Sequence, residues 1–121
     1  MASPRVLLLL PPLTQLNTPY PSTAYLTGFL QSRNIAVEQA DLGIEMVLRL
    51  FSPDGLRHIF RQLHGLERSL PREAIAMMRA EHSYVDMIGP VVAFLQGKLP
   101  DLAPYLIRPG VLPQGPRFRG H

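Results

Sequence analysis

The chain has 121 residues, a formal net charge of +3 and no cysteine. The lack of cysteine excludes disulfides, zinc-thiolate sites, thiol nucleophiles and thiolate ligands for an iron-sulfur cluster within this chain. The length suits one compact domain but is short for an open parallel sheet with helices on both faces, so we expect one domain, complete or partial. Arginine supplies all but one of the 12 basic residues, and this charge alone identifies no partner.

No apolar run exceeds five residues, and the first run of that length, Val6 to Leu10, stops at Pro11 and Pro12. A transmembrane helix needs roughly 20 apolar residues, and the apolar region of a signal peptide needs roughly 7–15. We therefore predict no membrane-spanning helix, no membrane partner and a cytoplasmic location.

The first 42 residues predict a strand, a helix and a second strand. The unbroken run from Val6 to Leu10 is typical of a central parallel strand that is covered on both faces. Ser22, after Pro21, is a good helix N-cap, and apolar residues then recur at helical spacing until Asn34, which can adopt a left-handed cap. A short strand follows, from Ile35 to Leu42. The sequence thus predicts an α/β fold.

Beyond Gly43 the apolar period is helical. The segment 44–51 predicts a short buried helix, and Ser52 with Pro53 predicts the start of the next one. Pro71 starts a further helix, and an apolar segment from residue 84 to 95 is interrupted at Gly89-Pro90 and closes near Gly97. In the helix after Ser52 the side facing the core is predicted to carry Leu56, Ile59, Phe60, Leu63, Leu66 and Leu70.

The opposite side of that helix is basic, with Arg57, Arg61, His64 and Arg68. Such a stripe is either a solvated helix face or a surface that binds phosphates or an acidic partner. It supports an alternative function, a non-enzymatic interaction module that binds an acidic protein or nucleic acid.

The histidines predict neither a metal site nor a catalytic residue. No two of them are three or four residues apart, as a helical two-histidine metal site requires. Two carboxylate-histidine pairs, Asp54 with His58 and His82 with Asp86, have the spacing for contact on one helix face. Surface contacts and acid-base chemistry are both compatible with that spacing, but no nucleophile joins either pair.

The loop after the first strand is the strongest candidate for a binding site. It runs from Pro11 to Tyr20, whereas such connections usually take about 2–6 residues. In open α/β sheets, ligands bind beyond the carboxyl ends of the strands, which is where this loop begins. Its alternative role is a proline-stiffened cover for the sheet edge. The predicted cofactor-binding residues are Thr14, Gln15, Asn17, Thr18 and Tyr20, together with Ser22 and Thr23 at the helix start.

These side chains offer hydrogen bonding rather than acid-base catalysis. No GxGxxG or P-loop pattern is present, so phosphate binding of those types is not expected. Ala24 and Gly28 lie one turn apart on the helix. Such small residues allow the helix backbone to approach either the sheet or a flat ligand closely.

The segment from Pro11 to Ser52, preceded by Arg5-Val6-Leu7-Leu8, resembles the N-terminal segment of cobalamin-binding-domain-containing radical S-adenosylmethionine proteins. The resemblance rests on the strand, the two prolines, the long loop and the stretch Tyr20-Pro21-Ser22-Thr23-Ala24-Tyr25-Leu26 that opens the helix. It implies an incomplete Rossmann-like start followed by several helices. Residues 1–99 would form a partial cobalamin-type domain with a helical extension, and the proline- and glycine-rich residues 100–121 a connector or tail.

The resemblance also implies partners. A corrinoid would be the ligand, and the missing radical S-adenosylmethionine barrel would act in cis or in trans, with no nucleic acid involved. S-adenosylmethionine and the 4Fe-4S cluster would belong to the full-length parent only, because the chain has no Cys-x3-Cys-x2-Cys motif and would be catalytically inactive alone. The loop also lacks the Asp-x-His-x-x-Gly pattern that supplies a cobalt-ligating histidine.

Overall fold

The computed structural model describes residues 4–18, 20–66 and 69–115, and the chain divides into two compact units, Met1–Val47 and Leu48–His121. The described residues form a mixed α/β structure with two parallel strands and six α-helices. None of the helices in these ranges is long and apolar enough to cross a bilayer. The predicted division into residues 1–99 and 100–121 stays a prediction, and Arg68 and residues 116–121 lie outside the described residues.

The first unit has the predicted strand-helix-strand order. Strand β1 (Arg5–Leu10) is followed by helix α1 (Pro21–Ser32) and strand β2 (Ala36–Asp41). The strands pair in parallel, with a register that begins at Arg5 opposite Ala36 and ends at Leu10 opposite Asp41. Asn34 adopts the left-handed conformation with φ 58°, so the predicted cap between α1 and β2 is confirmed.

Only one face of β1 is covered. Half-buried Val6, Leu8 and Leu10 alternate with exposed residues on the other face, where Leu7 is 58% and Leu9 is 49% exposed. The prediction of a strand covered on both faces is therefore wrong for the described residues. Two-sided cover requires helices on both sides of a parallel sheet, and in this unit α1 is the helix that packs against both strands.

Helix α1 begins two residues earlier than it would with Ser22 as the N-cap. Pro21 occupies the first helical position and Tyr20 is the N-cap, without a side-chain hydrogen bond. The prediction that Ser22 caps the helix is wrong, because the fixed φ of Pro21 suits the first turn and places Ser22 inside it. The side chains half-buried in the first 10 residues of α1 are Thr23, Thr27 and Leu30.

Helix α2 (Leu42–Leu50) follows β2 directly. The Asp41 Oδ1 atom accepts a hydrogen bond from the Ile44 backbone N–H at 3.0 Å, which caps the start of the helix. The predicted short helix is confirmed, but the prediction that it is buried is wrong: Gly43 is its one buried residue. Its large apolar side chains find little cover in the described chain, and Ile44, Leu48, Leu50 and the following Phe51 are exposed.

The second unit is helical, with α3 (Pro53–His64), α4 (Arg72–Arg79), α5 (Glu81–Leu95), a 3-10 turn (Pro100–Leu102) and α6 (Ala103–Leu106). Phe60, Met78 and Val85 form its buried core, and Leu56, Leu63, Leu70 and Tyr84 pack against them. The predicted core face of α3 is confirmed except at Leu66, which is exposed because α3 ends at His64.

The start of α3 follows the prediction. The Ser52 Oγ atom accepts a hydrogen bond from the Gly55 N–H at 3.0 Å, and Pro53 occupies the first turn. Gly55 lies so close to the preceding turn that an added Cβ would overlap the carbonyl oxygens of Arg49 and Leu50. A residue without a side chain is required at this position.

Helix α5 runs through Gly89-Pro90, so the predicted interruption is wrong. Proline removes one intrahelical hydrogen bond, the one to the carbonyl of residue 86, and the helix continues on both sides of it. The predicted end near Gly97 is confirmed, because Gly97 has φ 72° and the Lys98 N–H donates to the Ala93 carbonyl at 2.9 Å.

Candidate functional site

An open cleft of about 390 Å³ lies in the first unit, at the carboxyl ends of the two strands. Its walls are the loop after β1, the first turns of α1, the end of β2 and the start of α2. The lining residues are Leu10, Gln15, Leu16, Asn17, Thr18, Tyr20, Thr23, Ala24, Gln39, Ala40, Asp41 and Ile44.

The structure brings most of the predicted site residues together. Those that line the cleft are Gln15, Asn17, Thr18, Tyr20 and Thr23. Thr14 is outside the lining, and its Oγ1 atom donates to the Pro11 carbonyl at 3.2 Å. Ser22 is also outside the lining, exposed in the first turn of α1. The role of all seven residues in binding a cofactor stays a prediction.

The two small residues of α1 do not approach the sheet. Ala24 is exposed and lines the cleft, while a Cβ added to Gly28 would have no atom within 4 Å. The expectation of close packing between this part of α1 and the strands is therefore wrong. Thr23 and Thr27 lie instead on the half-buried side of α1, about a quarter turn around the helix from Ala24 and Gly28.

The loop has a defined backbone geometry. Leu13 has φ 66°, a left-handed conformation that is unfavourable for a leucine, and its side chain is 90% exposed. Next to it, Thr14 packs against the start of α2: a Cβ added to the buried Gly43 would lie 3.2 Å from Thr14 Oγ1 and 3.1 Å from Asp41 Oδ1. Gly43 therefore allows the loop after β1 and the end of β2 to approach each other at the start of α2.

Sequence reasoning missed the wall contributed by β2 and α2, which comprises Gln39, Ala40, Asp41 and Ile44. A signal for it was present in the sequence. In a parallel pair both strands end at the same edge, so the last residues of β2 belong to the same site as the loop that leaves β1.

Asp41 is the one carboxylate in the cleft lining. It is half-buried, and its Oδ1 atom is held by the Ile44 N–H. Asp41 forms no ion pair with another described residue, and Oδ2 has no hydrogen-bond partner among them. Gln39 lies two residues earlier on the same strand, so its side chain points to the same face of the sheet.

The side chains of the cleft are suited to binding a ligand through hydrogen bonds. Its side chains supply hydroxyl, amide and carboxylate groups on an apolar floor, a combination typical of small-molecule sites. Its lining holds no histidine, cysteine or lysine, and within the described residues no group of three or more His, Cys, Asp or Glu side chains could hold a metal ion. No activated nucleophile is present among the residues that line the cleft, and Asp41 is its one carboxylate.

A second depression, of about 420 Å³, lies in the helical unit and is lined by Arg57, Glu81, His82, Val85 and Asp86. Its two basic side chains, Arg57 and His82, pair with carboxylates. The His82 Nδ1 atom lies 2.8 Å from Asp86 Oδ2, so this predicted contact is confirmed as an exposed surface pair. The predicted pair of Asp54 with His58 is not observed, because Asp54 accepts a hydrogen bond from Arg57 at 2.8 Å instead.

The basic stripe on α3 is thus partly neutralised. Arg57 pairs with Asp54, and His64 Nε2 lies 2.8 Å from Glu81 Oε2. An acidic protein or nucleic acid would have to compete with these carboxylates for the same side chains. The interaction-module hypothesis stays a prediction.

No protein-family model matches the sequence, and no curated protein or solved structure is significantly similar to the chain.

Proposed function

We propose that the first unit is the cofactor-binding portion of a larger radical S-adenosylmethionine protein, with a corrinoid as its ligand. The observation that carries this proposal is the position of the cleft, at the carboxyl edge of two parallel strands joined by a helix. Ligands of open α/β sheets bind at that edge. The loop that shapes the cleft, residues 11–20, belongs to the segment that resembles cobalamin-binding domains.

The lining supports a neutral, amide-rich ligand such as cobalamin. Gln15, Asn17 and Gln39 present primary amides and Thr18 presents a hydroxyl, which can donate to and accept from the amide groups at the rim of a corrin ring. The Thr23 hydroxyl donates to the Tyr20 carbonyl at 3.4 Å and can accept from such a group. The cleft volume of about 390 Å³ is at the low end of the roughly 300–1,000 Å³ found for ligand sites. One edge of the macrocycle would therefore enter the cleft while the remainder extends beyond it.

In this proposal the chain has no catalytic activity alone. The chain has no cysteine to hold a cluster, and the cleft lining has no acid-base pair. The S-adenosylmethionine and the 4Fe-4S cluster would be held by a barrel of the parent protein, in cis or in trans, in the cytoplasm. The first unit would be the incomplete Rossmann-like start of the cofactor-binding domain, and the exposed Leu7 and Leu9 are apolar surface that further parts of the parent protein could cover.

Titration of the purified chain with hydroxocobalamin tests the proposal. We expect a saturable change in the corrin absorption bands, complete at roughly tens of micromolar ligand. No spectral change in that range would refute corrinoid binding by this chain.

Two tyrosines allow a matched control. Tyr20 lines the cleft, whereas Tyr25 is 78% exposed and lies outside the lining. We expect Tyr20→Ala to weaken hydroxocobalamin binding roughly tenfold, because it removes an aromatic contact surface, and Tyr25→Ala to leave the affinity unchanged. Equal loss in the two variants would place the ligand outside the cleft.

A further inference from the structure

We infer that Asp41 and Gln39 form a specificity wall on β2, which selects ligands that present hydroxyl or amide N–H donors and rejects ligands that present a carboxylate or phosphate at this wall. This inference rests on the proposed ligand-binding role of the cleft and specifies which part of the ligand faces β2. Neither residue belongs to the set of site residues predicted from the loop.

The geometry of Asp41 supports this role. A carboxylate at neutral pH has two acceptor oxygens and no donor. One of them, Oδ1, is occupied by the Ile44 N–H at 3.0 Å, which fixes the orientation of the group. The other, Oδ2, accepts no hydrogen bond from the described residues, while the side chain lines the cleft. A fixed carboxylate with one open acceptor is suited to a ligand donor.

Gln39 completes the wall. Residues two apart on a strand point to the same face, with Cα atoms roughly 6.6 Å apart, so these two side chains can contact neighbouring groups of one ligand. Gln39 is exposed and also lines the cleft. Its amide can accept from one ligand donor and donate to a ligand carbonyl, so the two side chains together recognise primary amides or hydroxyls.

Charge explains the rejection of anions. The described residues place no cation in an ion pair with Asp41, and the cleft lining contains no lysine or arginine. An anionic ligand group at this wall would face a carboxylate of the same sign that no lysine or arginine of the lining balances.

The test uses Asp41→Asn in the full chain. Asparagine keeps an oxygen that can accept from the Ile44 N–H, so the cap of α2 is retained, but it replaces the open acceptor by an NH₂ donor. Glu38→Gln is the matched control: it also neutralises a carboxylate of β2, on the opposite face, where Glu38 pairs with Arg5 at 3.0 Å outside the cleft lining. Thermal unfolding by circular dichroism verifies that both variants are folded.

Two probes are titrated, hydroxocobalamin and adenosine, which present amide and hydroxyl donors respectively. For each probe that binds, we expect Asp41→Asn to weaken binding about tenfold or more and Glu38→Gln to change it less than twofold. Adenosine 5′-monophosphate should bind the wild-type chain no better than adenosine.

The outcomes separate the two proposals. Hydroxocobalamin binding that is equal in Asp41→Asn and wild type would overturn the specificity wall and leave the corrinoid proposal standing. Binding of adenosine alone, lost in Asp41→Asn, would support the wall and refute the corrinoid. Binding of neither probe would overturn both.

Discussion

The two units of the chain use their apolar residues in opposite ways. In the helical unit Phe60, Met78 and Val85 are buried together, and the polar side chains form surface pairs. In the strand-helix-strand unit the one buried residue among those described is Gly43, and large side chains such as Phe29 are left exposed. Among the described residues, the cleft of mixed apolar and amide character lies in the first unit, and the cluster of buried apolar side chains lies in the helical unit.

This difference indicates that the helical unit gains more folding free energy from apolar burial than the first unit does. Burial of apolar surface is the main source of folding free energy, so the helical unit has its own source of stability. The first unit gains less from its own contacts and offers apolar surface for binding. Substitutions of the same type in the two units should therefore have unequal effects, and the following pairs test this from the largest effect to the smallest.

Phenylalanine truncation should show the largest contrast. Phe60 is 3% exposed and its ring centroid lies 6.3 Å from that of Tyr84, so Phe60→Ala should lower the free energy of unfolding by about 3–5 kcal/mol. Phe29 is 57% exposed and contacts the Arg33 guanidinium, so Phe29→Ala should cost at most about 1 kcal/mol. Urea denaturation followed by circular dichroism measures both. Similar losses of unfolding free energy in the two variants would mean that Phe29 also belongs to a buried apolar core.

The effect of a glycine-to-alanine substitution on stability should differ in sign between the two units. A Cβ at Gly55 would overlap backbone oxygens that cannot move aside, so Gly55→Ala should destabilise the protein by about 1–3 kcal/mol or more. Gly28 lies in helix α1 with nothing near its missing side chain, so Gly28→Ala should stabilise by about 0.5–1 kcal/mol. Thermal melts of the two variants give the comparison. A stabilised Gly55→Ala variant would contradict the close approach of α3 to the end of α2.

Serine truncation at two helix starts should give the smallest contrast. Ser52→Ala removes the acceptor for the Gly55 N–H and should cost about 1 kcal/mol. Ser22 lies within α1, and this helix has no side-chain cap, so Ser22→Ala should change stability by less than about 0.5 kcal/mol. Urea denaturation of the two variants again distinguishes them, and a larger loss at Ser22 would restore it as the cap of α1.

Local chemistry predicted much of the fold. The run of β1, the left-handed Asn34, the cap at Ser52 and the end at Gly97 are each fixed by a few neighbouring residues, and each is confirmed. Burial was harder to predict. An apolar residue is buried only if another element covers it, and the pattern of β1 cannot show whether a second layer is present in the chain.

For the same reason, the sequence predicted the loop side of the candidate site but not the side formed by β2. The loop was identified because its length and polarity are properties of a contiguous segment. Asp41 and Gln39 join it only through the parallel register, in which Leu10 lies opposite Asp41. Pro90 shows the converse: a strong local signal for a break was overridden by the helical turns on either side of it.

Leu13 has one further consequence. A leucine held in a left-handed conformation costs free energy, roughly 1 kcal/mol or more, that the folded chain sustains before any ligand arrives. The bend of the loop is therefore formed during folding, and a ligand would bind to a loop that needs little rearrangement. A preformed loop loses less conformational entropy on ligand binding than a loop that must first become ordered. The association rate would then be limited by diffusional encounter rather than by loop closure.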